Sequence, residues 1–520
     1  MVDQAATPFY QPLNTTALSD KPLSRILVLS DLHLSAGKSP ATLLWDRLEN
    51  FTADADLEAL LTEKRIAAQT RNTRVLLVIN GDFIDFLRIT RTPDESDLRR
   101  WRDELDWVAS EPDSPVRDGV LDDFDAFAGK WRQYVLDGKR LRLTKEENGI
   151  RSEERFGLKT QDYKSVFRLL LTMEGHPRLF RSLTEWMGAG HPLMILTGNH
   201  DPEFDQDLVQ IYLRRKLEQL ATSLEANVTN FSSLLHFYSH GIELDETIRI
   251  EHGHRYEWYT ATEEEWLDQR TQEIMLPAGS LFNRYLLNQM ETVVPYLDNV
   301  KPSTRVITFL LMKHRVQFLG ILGQLMETVW RLFRKKGARR LILQGFFTLA
   351  TSLIPLIYAL WLGFSLDWQS GSLLIQLWES ITWLGVRMPR IVSIVPTGIA
   401  WLACFLIQSK LTSHFELDTL IANMSSGFGN QETPEQYHAI IGHTHQPTIQ
   451  QWNQQGIRYH NSGTWTPVFQ YESGVVQDDL TRTYVDLQKT ENNGWQAELK
   501  RWIPHVNTEA EVILTEEHTE

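Results

Sequence analysis

The chain has 520 residues, 42% hydrophobic and 23% charged, with a formal net charge of −15. That length calls for two or three structural units, and that composition excludes a disordered chain. The acidic balance argues against nucleic acid as the main partner, since phosphate backbones demand a basic face; the single cysteine, Cys404, excludes an internal disulfide and disfavours a thiolate metal site.

Residues 1–20 are polar and lack a basic stretch leading into an apolar one, so no cleaved secretory signal is expected. Short apolar runs then recur at 26–30, 75–80, 193–197, 248–251 and 439–442, each ending at or just before a Gly, Asp or His. Central strands of an α/β sheet read this way, with functional groups on the loops beyond their carboxyl ends. Residues 40–64 have helical character, and 457–460 with 483–487 read as a further strand pair. Residues 99–167 are charged and Trp-rich, with helical patterning, and read as a surface elaboration. The core is therefore expected from residues 1–255 and 436–520.

The intervening insertion, 256–435, differs in kind. Residues 341–366 contain no charged side chain, and a helix of that length, at about 1.5 Å per residue, exceeds the roughly 30 Å hydrocarbon core of a bilayer. Residues 391–409 form a second uncharged run; Pro355 and Pro396 inside the runs are better tolerated in a membrane than in an isolated soluble helix. Arg331, Arg334, Lys335, Lys336, Arg339 and Arg340 lie just before the first run, which predicts a cytoplasmic start and a membrane-associated protein with its core on the cytoplasmic side. An apolar stripe from residue 318 to 333 fits an interfacial helix, and Trp368, Trp378 and Trp383 fit interfacial anchors. The alternative is a soluble bundle whose inner helices are apolar all round.

Beyond the strands, five segments offer metal-ligand atoms: Asp31-Leu32-His33, Gly81-Asp82, Gly198-Asn199-His200-Asp201, His252-Gly253-His254 and Gly442-His443-Thr444-His445. Singly each is weak, because a lone Gly-Asp is usually a turn and a buried histidine is more often structural. Together, in this order and at strand ends, they point to a metal centre. Mixed His, Asp and Asn ligation suits Mn, Fe or Zn in an open site and disfavours a structural zinc. Two such ions about 3.5–4 Å apart clamp the attacking and leaving oxygens of an in-line displacement at phosphorus.

These five blocks, with Asn461-Ser462-Gly463-Thr464-Trp465 after them, resemble the calcineurin-like metallophosphoesterase superfamily. The resemblance covers the two core segments and none of the insertion. It implies a four-layer αββα sandwich and two divalent metal ions, Mn first, with Fe or Zn as alternatives. It places Asp31, His33, Asp82 and His445 on one metal, and Asp82, Asn199, His252 and His443 on the other. A hydroxide shared by the metals would attack phosphorus. His200 would protonate the leaving oxygen or stabilise its charge, with Asp201 orienting the His200 ring. The resemblance favours His252 over His254; spacing alone leaves the two open. Asp85 reads as a supporting or structural residue, and His176, His191, His236, His240 and His438 as structural or surface residues. Asp31-Leu32-His33-Leu34 and the run from Gly442 to Pro447 also resemble UDP-2,3-diacylglucosamine pyrophosphohydrolases. The third block departs from that subgroup by carrying His200 where an arginine is expected, which points back to the general phosphatase or phosphodiesterase pattern.

The insertion leaves the core just after His252 and returns just before His443, so its roots are expected near the mouth of the site. A lipid-linked or membrane-associated phosphoester is the expected substrate class. Two alternatives stay open: a soluble phosphodiesterase or phosphatase acting on nucleotides, with the insertion as lid or oligomerisation module, and a non-catalytic scaffold of the same fold.

Overall fold

The computed structural model describes most of residues 10–291 and 437–512, with short gaps, together with 300–301. The chain divides into two units, Met1–Leu325 with Phe428–Glu520, and Met326–Gly427. The described residues belong to the first. The uncharged runs at 341–366 and 391–409, the basic cluster before them, the 318–333 stripe and the three tryptophans lie outside the described residues. Among the described residues, no helix is long and apolar enough to cross a membrane.

Among the described residues, and leaving aside two two-stranded ladders of two-residue strands, the strands in chain order are β1 (Tyr10–Leu13), β2 (Leu23–Leu29), β3 (Arg74–Asn80), β4 (Leu193–Leu196), β5 (Leu235–Tyr238), β6 (Gly241–Leu244) and β7 (Ile248–Glu251). The last part of the chain adds β8 (Tyr437–Ile441), β9 (Thr448–Trp452), β10 (Ile457–Asn461), β11 (Thr483–Lys489), β12 (Trp495–Ile503) and β13 (Thr508–Glu511). They form a seven-stranded sheet, ordered β13-β12-β11-β2-β3-β4-β5, and a six-stranded sheet, ordered β1-β6-β7-β8-β10-β9. The run β2-β3-β4-β5 is parallel, with Val28 opposite Val78 and Ile79 opposite Ile195. In the second sheet β7, β8 and β10 are parallel, with Ile250 opposite Ile440. The fold is thus mixed α/β.

The runs on β2, β3 and β4 are almost continuously apolar because both faces of those strands are buried. On β2, Leu27 and Leu29 face a core made with helices, while Ile26 and Val28 face a second core shared with Ile242, Ile248, Ile250 and Ile440 of the other sheet. Strand β3 alternates in the same way: Leu77 and Ile79 meet helices, and Leu76 and Val78 meet the second sheet. The two cores account for three layers: helices, the seven-stranded sheet and the six-stranded sheet.

The helical layer consists of α1 (Asp54–Thr70), α2 (Glu95–Ala109), α3 (Val120–Trp131), α4 (Lys145–Phe156), α5 (Asp162–Gly175), α6 (Pro177–Gly188) and α7 (Asp207–Ser223). Helix α1 begins 14 residues later than the expected 40–64 segment. The cause is Glu49, whose buried carboxylate accepts the amides of Ser35, Gly37 and Phe51 and holds that stretch as an irregular loop. Residues 99–167 are more than a surface elaboration. Trp101 is fully buried, stacks on Phe167 at 4.8 Å and meets Phe124 edge-on at 4.8 Å. Its indole N–H donates to Tyr163 O. Helix α5 is a core helix, with Val166, Phe167, Leu169 and Leu170 in the helix-side core.

Candidate metal centre

Strands β2, β3 and β4 in one sheet, and β7, β8 and β10 in the other, deliver their C-terminal loops to one place. The β2 and β3 loops stay zipped beyond the strands: Asp31 N donates to Gly81 O at 3.2 Å, and His33 N to Asp82 O at 2.9 Å. Asn80 joins the sheets, because its Nδ2 donates to Glu251 O at the end of β7 while its own carbonyl faces His252 Nδ1. The loop after β10 buttresses the first block, with Thr464 Oγ1 donating to Asp31 O and Ser30 Oγ bonded to Ser462 Oγ at 2.6 Å.

The backbone is bent hard to aim the side chains. Asp31, His33, Asp82, His443 and His445 all have positive φ, between 51° and 70°. A non-glycine residue there costs energy, and such outliers gather where a site dictates the geometry. Two glycines make room for this packing. A methyl at Gly198 would lie 2.5 Å from the Asp82 amide nitrogen. Gly81, at φ +77°, would place a methyl 2.5 Å from His252 Cγ.

Among the described residues, side chains then converge in three groups that could hold a metal ion: Asp31, His33 and His445; Asp82, His252 and His443; and His33, Asp85 and His200. In the first group His33 Nε2 lies 2.9 Å from His445 Nε2, and Asp31 Oδ1 lies 3.3 Å from His445 Nε2. Asp31 Oδ1 is buried without a hydrogen-bond donor, while Oδ2 accepts the His443 amide. In the second group His252 Nε2 faces both Asn199 Oδ1 and Asp82 Oδ2 at 3.2 Å. Asp82 stands between the groups, its Oδ2 also 3.7 Å from His33 Nε2. The sequence therefore named a set that the fold brings together, Asp31, His33, Asp82, Asn199, His252, His443 and His445. The geometry puts His252 against Asp82; the His254 ring packs behind, 5.4 Å from that of His252.

The other ring nitrogens are held too. His252 Nδ1 faces Asn80 O at 2.9 Å, and His33 Nδ1 faces Asp85 Oδ2 at 3.2 Å. An acceptor there fixes the N–H on Nδ1 and leaves the Nε2 lone pair pointing inward, the arrangement a metal ligand needs. Oxygen and imidazole donors, an orphaned buried carboxylate oxygen and lone pairs aimed at common points fit divalent ions.

One role differs from expectation. Asp201 does not orient the His200 ring: its oxygens accept the amides of Gly198 at 2.6 Å and Phe83 at 2.7 Å, pinning two loops. Asp85 holds His200 Nδ1 instead, at 2.9 Å, and so serves both His200 and His33. Asp85 follows three residues after Asp82, a spacing visible in the sequence, but its double duty required the fold. Burial opposes charge on His200, yet the Asp85 and Asp82 carboxylates outweigh it and raise the ring to about 10. Burial likewise opposes the Asp85 anion, but His200, His33 and Arg88 hold it well below the usual carboxylate range. Glu257 also escaped sequence reasoning; its Oε2 lies 2.9 Å from His443 Nε2 across 186 residues of chain.

No protein-family model, curated protein or solved structure matches this chain.

Proposed function

We propose that the chain is a metal-dependent phosphoester hydrolase of the metallophosphoesterase type, with two divalent ions, Mn first. The observation that carries this reading is Asp82 Oδ2, placed between His33 Nε2 at 3.7 Å and His252 Nε2 at 3.2 Å. A carboxylate within reach of both nitrogen clusters could serve ions held by either of them. Asp31, His33 and His445 would hold one ion, Asn199, His252 and His443 the other. Bound ions supply Lewis-acid activation of the phosphoryl group and of the attacking water. The sheet-on-sheet core under the loops supports the sandwich fold, and the outer fourth layer remains part of this proposal.

The protein's own groups complete the reaction. His200 is half-buried at the edge of the cluster, its ring 4.7 Å from that of His33. Charged by Asp85, it would donate a proton to the leaving oxygen from the ring nitrogen that Asp85 does not hold. The Asp82 carboxylate accepts the His200 amide at 2.8 Å, which keeps this acid in register with Asp82.

Hydrolysis of p-nitrophenyl phosphate and bis-p-nitrophenyl phosphate with added Mn²⁺ tests the reading. Turnover is expected to vanish in Asp82→Ala and to fall about 10²–10⁴-fold in His200→Ala. Folded, Mn²⁺-loaded protein without turnover on any phosphoester would overturn it and favour the scaffold alternative.

For the substrate, the uncharged runs at 341–366 and 391–409 favour a lipid-linked or membrane-associated phosphoester. A carbonate wash that releases the intact protein from membranes would instead favour the nucleotide phosphodiesterase alternative.

A further inference from the structure

We infer that the first stretch of the 256–435 insertion is built into the centre: Glu257 sets His443 directly, and Glu291 acts through Arg88 and Asp85 on His33 and His200. This rests on reading the cluster as a metal site. The two contacts reach opposite halves of that site.

Glu257 follows the short turn His254–Tyr256, and its carbonyl accepts the amides of Thr260 at 3.1 Å and Ala261 at 2.8 Å. Its carboxylate meets His443 Nε2 at 2.9 Å. An anion at that nitrogen holds the ring proton on Nε2 and frees the lone pair of Nδ1. His443 thereby joins His33 and His252, each of which has one nitrogen held by an acceptor. For those two the acceptor comes from the core. For His443 it comes from the insertion.

Glu291 works at one remove. Arg88 Nε donates to Asp85 Oδ2 at 2.9 Å, and its two terminal nitrogens both reach the Glu291 carboxylate, one of them at 3.0 Å. Arg88, Asp85 and Glu291 are each no more than 2% exposed, so little solvent screens them. With Glu291 taking both terminal nitrogens, Arg88 is turned so that its Nε meets Asp85 Oδ2, which also faces the two imidazoles. Without it, Arg88 would lean more on Asp85 and compete with His33 and His200 for the same Oδ2. The stretch is also anchored: Ser280 Oγ donates to Asn199 O at 3.0 Å, Arg284 to Gly157 O at 2.6 Å, and Asn288 Nδ2 to Leu87 O at 2.7 Å.

Glu257 and Glu291 are thus positioning residues, and the test is Co²⁺ titration of the full chain, followed by visible absorption and calorimetry. His445→Ala and Asn199→Ala assign the two absorption signatures to the two positions. Wild type is expected to bind two ions. Glu257→Ala is expected to weaken the ion beside His443 by about ten- to a hundred-fold and leave the other within about two-fold. Glu291→Gln is expected to reverse this pattern, weakening the ion beside His33. Variants that bind both ions like wild type would overturn the inference, as would equal weakening of both ions with a lower melting temperature of the metal-free protein. Wild type that takes up no Co²⁺ would instead refute the metal reading itself, and the inference with it.

Discussion

Gly198→Ala puts the construction of the centre to a severe test, because the perturbation is a single methyl. Gly198 follows β4, and its Cα faces the Asp82 loop. An added Cβ would sit 2.5 Å from the Asp82 amide nitrogen, where ordinary van der Waals contact begins at 3.4 Å. The Asp82 carboxylate is nearer still, and it is buried and bonded to the His200 amide, so it has no free rotamer to retreat to. The Asp82 loop must therefore move by about 1 Å. A misplacement of that size at a reacting centre costs on the order of 10²-fold, and overpacking a closed site costs about 1–3 kcal/mol. The assay is Mn²⁺ affinity by calorimetry beside kcat/KM on p-nitrophenyl phosphate. Gly129→Ala serves as the control: it lies within α3 with nothing near its added methyl, and should gain up to about 1 kcal/mol from helix propensity alone. Gly198→Ala with wild-type metal affinity and turnover would refute the claim that this close approach sets the position of Asp82.

Three further outcomes follow from the same structure. His176 is buried between Glu49 at 3.1 Å and Asp54 at 3.0 Å; burial opposes its charge, but the carboxylates raise it to about 9 from an ordinary 6.5. Its contribution, roughly 3 kcal/mol at most, is therefore fully present below pH 6.5 and lost as pH rises through about 9; urea unfolding of wild type and His176→Gln from pH 6 to 10 should show the gap between them closing. Trp101→Ala should lower unfolding free energy by about 3–5 kcal/mol, because it empties the centre of the aromatic cluster and strands the Tyr163 carbonyl; a loss under 1 kcal/mol would mean the α2–α5 helices are a loose appendage. Removing divalent ions with EDTA should lower the melting temperature, and excess Mn²⁺ should restore it, since ions that bind the folded state stabilise it by mass action; scanning fluorimetry would show this, and an unchanged melting curve would count against a loaded centre.

Much of this protein could be read in order along the chain. The five runs became β2, β3, β4, β7 and β8 because a strand buried on both faces is largely hydrophobic, a local signal; β7 is the exception, its buried Arg249 and Glu251 paired with each other. The ligand motifs were legible for a related reason: each lies within a few residues of a strand end, and parallel packing brings those ends together. Most strands that the sequence pattern left out are short or at sheet edges; β12 is a nine-residue inner strand, but its burial follows no clean alternation. Strand β1, with Gln11 and Pro12 exposed, has no apolar pattern of its own and exists because Gly241–Leu244 offers it a partner.

What the tertiary structure alone decided is which groups hold the ligands in place. Asp201 is beside His200 in sequence but is turned onto the amides of Gly198 and Phe83; Asp85, 115 residues away, takes the imidazole. Glu257 on His443 and Glu291 on Arg88 span 186 and 203 residues. No periodicity records such pairs, because a carboxylate in a loop looks the same whether it faces water or a histidine. Local pattern determined the central strands and the donor atoms at their ends. Only the close approach of loops from two sheets, with buried charges that had to find partners there, determined how those donors are aimed.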